Sequence, residues 1–125
     1  MIIREIKLGT GVEFIIENET KEDKLSNNFR GNYVGCFEGK RLVGVLLYVD
    51  TKSTRRIRML VTQNDAKNDI AKFLLKWAIQ TDMNITAFVV PKWKDIFKCS
   101  GFRTKNTNRF DIDFMEVEAD EKPSV

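Results

Sequence analysis

The sequence contains no histidine. That absence removes the commonest general base, the commonest zinc ligand and every nucleophile arrangement built on a Ser-His or Cys-His pair. Cysteine is nearly as scarce. Cys36 and Cys99 are too few for a disulfide framework or a tetrahedral zinc site, so no metal is expected. No apolar run approaches the roughly 20 residues that a membrane helix needs, and no membrane contact is expected. Met1 to Ile6 alternates polar and apolar residues too early for a secretory leader. A cytoplasmic location is the resulting expectation.

What is present is 125 residues with 42% hydrophobic and 31% charged side chains, the balance of one globular domain. The formal charge of +3 is too small by itself to argue for nucleic acid, but it is unevenly spread. Lys52, Arg55, Arg56 and Arg58 crowd one stretch, and Lys92, Lys94, Lys98, Arg103, Lys105 and Arg109 another. Such runs are solvated faces or contact surfaces. Residues 118–125 form an acidic tail without periodicity, expected to be flexible, which leaves a single domain over residues 1–117.

Met1 to Leu8 alternates and predicts a strand. Thr10 stands as the cap of a short helix from Gly11 to Asn18, with Val12, Ile15 and Ile16 on one face. Glu19 to Asn32 is polar and reads as a loop. Asn32–Phe37 and Arg41–Val49 flank Glu38-Gly39-Lys40 and predict a β-hairpin, followed by a strand from Arg55 to Thr62. Asn64 or Asp65 then caps a helix to about Thr81. Its apolar face holds Ile70, Phe73, Leu74, Trp77 and Ala78. Asn84 to Val90 is a buried strand ended by Pro91. A short helix follows to Cys99, capped by Ser100-Gly101. A last strand pair ends the pattern, Phe102–Thr104 and Arg109–Val117, with Phe110, Ile112 and Phe114 inward and Asp111 and Asp113 wet. Cys99 reads as a buried structural thiol. The order predicts an α+β domain: a mixed, mostly antiparallel sheet, a long right-handed crossover helix and a short C-terminal helix.

Three stretches in this order resemble the GNAT superfamily of acyl-CoA-dependent N-acyltransferases. They are the hairpin Glu38 to Gly44, the strand Met59-Leu60-Val61 with the helix after it, and Asp95 to Phe102 with its Gly-Phe ending. The resemblance covers about residues 32–117 and implies the fold. It also implies an acyl-CoA site at Met59, Val61, Ala66, Lys67, Asn68, Asp69, Ile70 and Ala71. In that family a Gln/Arg-x-x-Gly-x-Gly/Ala loop lets backbone N–H groups approach the pyrophosphate at a helix N-terminus. Here Ala66 and Asp69 stand at the Arg and first Gly positions, and only Ala71 fits. A carboxylate beside a diphosphate costs on the order of 1–4 kcal/mol, and Lys67 offsets part of it.

The family's proton chemistry is also thinned. Its general-acid Tyr position is Phe97, which has no proton to give, so no catalytic residue is assigned. The strand Arg55 to Leu60 carries no carboxylate, and the Asn that often opens the next helix is Val90. Gly9 to Gly31 has room for one helix where the family fits two.

Three functions follow from this reading. The first is a divergent GNAT-like protein that has lost efficient acetyl transfer and acts as a binding or structural component. The second is an active N-acetyltransferase using acetyl-CoA with a non-standard site. The third is a small nucleic-acid- or protein-binding antagonist. The architecture and the Phe-x-x-x-Gly helix also resemble GNAT-like proteins among the virion genes of short-tailed phages. That likeness implies a virion or host protein as partner, and a location in the host cytoplasm or the phage particle. The expected contact residues are Arg55 and Arg56 with Lys92, Trp93 and Lys94. Trp93 has a second reading, as a side chain packing the short helix onto the sheet.

Overall fold

Residues 1–23, 28–63 and 68–122 are described by the computed structural model. Strand β1 (Ile2–Ile6) turns at once into helix α1 (Leu8–Asn18). The helix starts earlier than expected, with Lys7 in place of Thr10 as N-cap and no side-chain cap bond. Its buried face is Gly11, Phe14 and Ile15, whereas Ile16 is exposed. Gly11 causes the rotation. A Cβ there would lie 2.2 Å from Tyr33 Cδ2, so glycine alone lets α1 close down on that ring.

A 3-10 turn, Lys21–Asp23, follows. Strands β2 (Asn32–Glu38) and β3 (Arg41–Asp50) form the predicted hairpin, with Gly39 at φ 61° in its turn. Strand β4 (Thr54–Thr62) continues the antiparallel run. Helix α2 spans Asn68–Ala78; the predicted caps Asn64 and Asp65, and Ala66 and Lys67, lie outside the described residues. Its buried face is Ile70, Ala71, Leu74, Leu75 and Ala78. Phe73 and Trp77, expected in that face, pack at its border. Trp77 is drawn there by polar company: its ring lies 5.4 Å from Tyr48 and 4.9 Å from the Arg55 guanidinium.

Strand β5 (Asn84–Val89) lies parallel to β4, the predicted crossover. A 3-10 turn, Pro91–Trp93, leads into helix α3 (Lys94–Cys99). Gly101 ends it at φ 104°, and the Phe102 N–H returns to the Phe97 carbonyl at 3.1 Å. Cys99 is exposed, contrary to expectation, because it sits on the outer side of this last turn; Cys36 is buried. Strands β6 (Arg103–Thr107) and β7 (Asp113–Val117) complete a seven-stranded sheet of order β1-β2-β3-β4-β5-β7-β6. Helices α2 and α3 cover one face, and α1 covers the other over β2, β3 and β4.

Ile112 packs against the core and Asp111 is exposed, as expected, but within β7 the predicted faces are exchanged. Asp113, Met115 and Val117 point inward, while Phe110 is exposed in the turn and Phe114 is half-buried. Asp113 tolerates burial because Thr104 and Thr107 hydroxyls donate to it at 3.0 and 2.8 Å and Lys94 Nζ lies 3.1 Å away. Residues 118–122, expected as a free tail, are tied back. The Ala119 N–H donates to Asn84 Oδ1 at 2.8 Å, Glu121 pairs with Arg103, and Lys122 donates to the Thr81 carbonyl.

Candidate functional site: a wedge between two parallel strands

The parallel ladder between β4 and β5 ends at Ile57 and Ala87, although β4 continues to Thr62. At that point the pairing of β4 with β3 shifts register: Leu47 faces Met59, Tyr48 faces Ile57, and Arg58 is the extra residue. A bulge bends and twists its strand, so β4 turns away from β5 where their hydrogen bonds stop. The two strands thus diverge into a wedge at their C-terminal ends.

Trp93 fills that wedge. It is 7% exposed, and its indole Nε1–H donates to the Leu60 carbonyl at 3.0 Å. Backbone groups alternate in direction along a strand. The Gln63 N–H bonds Val43 on β3, so Met59 and Val61 also direct their backbone groups to β3. Leu60 is the residue that faces the wedge, one position off the expected Met59 and Val61, whose side chains are buried beneath α1. Val89, Val90 and Phe97 form the other wall, and Phe97 stacks edge-on with Phe102 at 4.9 Å. A cavity of about 20 Å³ remains. That is room for about one water molecule.

The wedge also holds a carboxylate that sequence reasoning missed. Asp23 borders the cavity, its side chain only 2% exposed, and its Oδ1 lies 2.8 Å from Lys92 Nζ. Its Oδ2 accepts the Thr20 N–H at 2.8 Å and the Thr20 hydroxyl at 3.2 Å. The Thr20-x-x-Asp23 spacing was the available signal, since Asp bonds a nearby backbone N–H in this way. The Lys92 ammonium also lies 4.7 Å from the Trp93 ring centroid. One ion pair therefore fastens the turn before β2 to the turn that carries Trp93.

The predicted contact edge is mostly turned inward, which corrects its expected exposure. Trp93 and Arg55 are buried. Arg55 forks onto Asp50 at 2.9 and 3.0 Å and donates to the Ala78 carbonyl at 3.0 Å. Lys92 pairs with Asp23, and Lys94 Nζ lies 2.6 Å from Asp111 and 3.1 Å from Asp113. Arg56 alone of the five is exposed.

At the start of α2, Asn68 and Asp69 are exposed while Ile70 and Ala71 are core residues. A polar hollow of about 200 Å³ lies beside Asn68, bordered by Thr62, Gln63, Lys92 and Trp93. The acyl-CoA implied by the resemblance needs a slot for its pantetheine arm and a welcoming surface for its diphosphate. Among the described residues, three features oppose it. The slot is occupied by an indole, its carbonyl is already paired, and the first turn of α2 carries Asp69.

No family model matches the sequence, and no curated protein matches it. Solved structures match it by shape. An IAA acetyltransferase from Bacillus cereus superposes with a TM-score of 0.69 at 15% identity, over 92% of this chain and 95% of that one. Aminoglycoside 6′-acetyltransferase type Ii gives 0.67 at 14% identity, over 98% of this chain and 100% of the other. A Bacillus subtilis acetyltransferase in complex with CoA gives 0.68 at 15% identity, over 93% and 97%. The fold is therefore that of the GNAT acetyltransferases, α+β as predicted. Likeness at such identities carries the fold and not the chemistry.

Proposed function

We propose that this GNAT-fold chain has lost efficient acetyl transfer and acts as a binding or structural component. The observation that supports the reading most is the indole of Trp93 on the Leu60 carbonyl, with a cavity of only about 20 Å³ left in the wedge. A pantetheine arm entering there must first break that hydrogen bond and displace a buried aromatic side chain, on top of the Asp69 repulsion. Phe97 adds to the case, because a phenyl ring gives no proton to a leaving thiolate.

The active-enzyme reading has one observation in its favour, the Asp23 carboxylate at the cavity. That carboxylate is held by Lys92 and Thr20, which opposes its use as a base. Of the residues expected to contact a virion or host protein partner, Arg56 is exposed, Lys92 and Lys94 are half-buried in ion pairs, and Arg55 and Trp93 are buried.

Calorimetric titration of acetyl-CoA into the protein, followed by a thiol-release assay with polyamine and peptide amines, tests the reading. The expected affinity is weaker than about 100 μM, or about −5.5 kcal/mol, with no thiol release. Low-micromolar binding with release overturns it.

A further inference from the structure

Among the described residues, no helix covers the sheet face opposite α2 and α3 over β5 and β7. Side chains alternate along a strand, so Ile85, Ala87 and Val89 enter the core while Thr86 and Phe88 point the other way. On β7, Met115 and Val117 enter the core and Phe114 and Glu116 point outward. Phe88 and Phe114 are register partners on adjacent strands. Their ring centroids are 5.2 Å apart, tilted 51° to each other, and Phe88 is 50% exposed. The Arg56 guanidinium lies 5.8 Å from the Phe88 centroid, and Arg56 has no ion-pair partner among the described residues. Arg58 on β4 lines the same hollow as Phe88 and donates to the Arg30 carbonyl at 3.0 Å, and Lys105 is exposed on the neighbouring β6. Of the carboxylates nearby, Asp23 is paired with Lys92 and Glu121 with Arg103, which leaves Glu116 without an ion pair among the described residues. Thr86, beside Arg56 in register, has a buried hydroxyl without a hydrogen-bond partner.

We propose that this face binds a single-stranded nucleic acid. Two phenyl rings on adjacent strands, Phe88 exposed and Phe114 half-buried beside it, supply a platform on which unpaired bases stack, and every base offers a π-face. Arg56, Arg58 and Lys105 supply the phosphate contacts that such a platform needs. An acidic protein segment matches the cations equally, but it meets the paired rings only where it carries aromatic or apolar side chains, whereas every unpaired base brings a flat face, and this favours the nucleic acid. The proposal does not rest on the state of the wedge. Absence of oligonucleotide binding leaves the wedge reading standing, and tight acetyl-CoA binding leaves this one standing.

The test is fluorescence anisotropy of a fluorescein-labelled oligothymidylate of about 12 nucleotides, at about 50 mM and about 200 mM salt. Saturable binding that weakens with salt is expected. Phe88→Ala and Phe114→Ala should each weaken it about five-fold or more, the scale of one lost stacked base. Arg56→Glu should weaken it further and flatten the salt dependence, while Lys40→Glu, an equal charge change in the β2–β3 turn, should leave it within about two-fold. Unchanged circular dichroism of the Phe88 and Arg56 variants confirms that the fold is intact. No binding up to about 100 μM protein overturns the proposal. So does binding indifferent to Phe88→Ala, equal binding of a duplex of the same length, or displacement of the oligonucleotide by an acidic peptide at matched charge.

Discussion

Trp93 and Leu60 are joined across the wedge by one hydrogen bond, indole N–H to backbone carbonyl, at 3.0 Å. The bulge at Arg58 creates the need for it. Once β4 bends away from β5, the Leu60 carbonyl has no strand partner, and a buried unpaired carbonyl costs about 1–3 kcal/mol. The turn Pro91–Trp93 supplies both a donor and the apolar volume that closes the gap.

Trp93→Phe should therefore destabilise the protein by about 1–3 kcal/mol through the orphaned carbonyl alone. Trp93→Ala should cost about 3–5 kcal/mol, because it also leaves a cavity. Urea denaturation of both variants measures the difference. A cost near zero for Trp93→Phe would mean that the indole N–H contributes nothing.

Leu74 is fully buried where α2 meets the sheet. Leu74→Ala should cost about 2–5 kcal/mol in the same assay. A midpoint unchanged within error would contradict the packing of α2 described above.

Gly11→Ala should destabilise, against the usual helix preference for alanine. The new methyl would meet the Tyr33 ring at 2.2 Å, so the ring or α1 must move, at about 1–3 kcal/mol. A rise in Tm would show that Tyr33 yields without strain.

The Asp113 carboxyl gives the fold an acid-side dependence. Burial raises its pKa, but the hydrogen bonds from Thr107, Lys94 and Thr104 together outweigh burial and hold it below the ordinary value of 3.8. A carboxyl depressed in the folded state contributes stability above its unfolded pKa and loses it as pH falls through the folded one. Stability should thus decline below about pH 4, and Asp113→Asn should flatten that decline. Denaturation midpoints between neutral pH and about pH 3 measure it; an equal slope in the variant would exclude Asp113 as the cause.

Local patterning made the framework legible. The Gly39 hairpin, the amphipathic crossover helix and the Gly-Phe ending of α3 each carry their own turn or period, and each lies close to where it was expected. The failures share a cause, which is that distant partners decided them. The period of two in β7 was right, but Lys94, Thr104 and Thr107 chose which half of it is buried. Nothing near Trp93 in sequence reveals a free carbonyl at Leu60, although the reading of Trp93 as a side chain packed onto the sheet is the one the structure shows. Asp23 was hidden for the same reason, since its partner Lys92 is far along the chain. The phenyl at Phe97 was legible in the sequence; the indole that closes the cleft was not.

The central claim is that the wedge is closed by Trp93 and stays closed in the presence of acyl-CoA. The indole N–H resonance of Trp93, assigned by comparison with Trp77→Phe, reports this directly. The account predicts that this proton exchanges slowly with solvent and keeps its chemical shift when acetyl-CoA is added to about ten times the protein concentration, well below the expected Kd. A saturating shift of that resonance in the low-micromolar range, with loss of its exchange protection, would contradict the account.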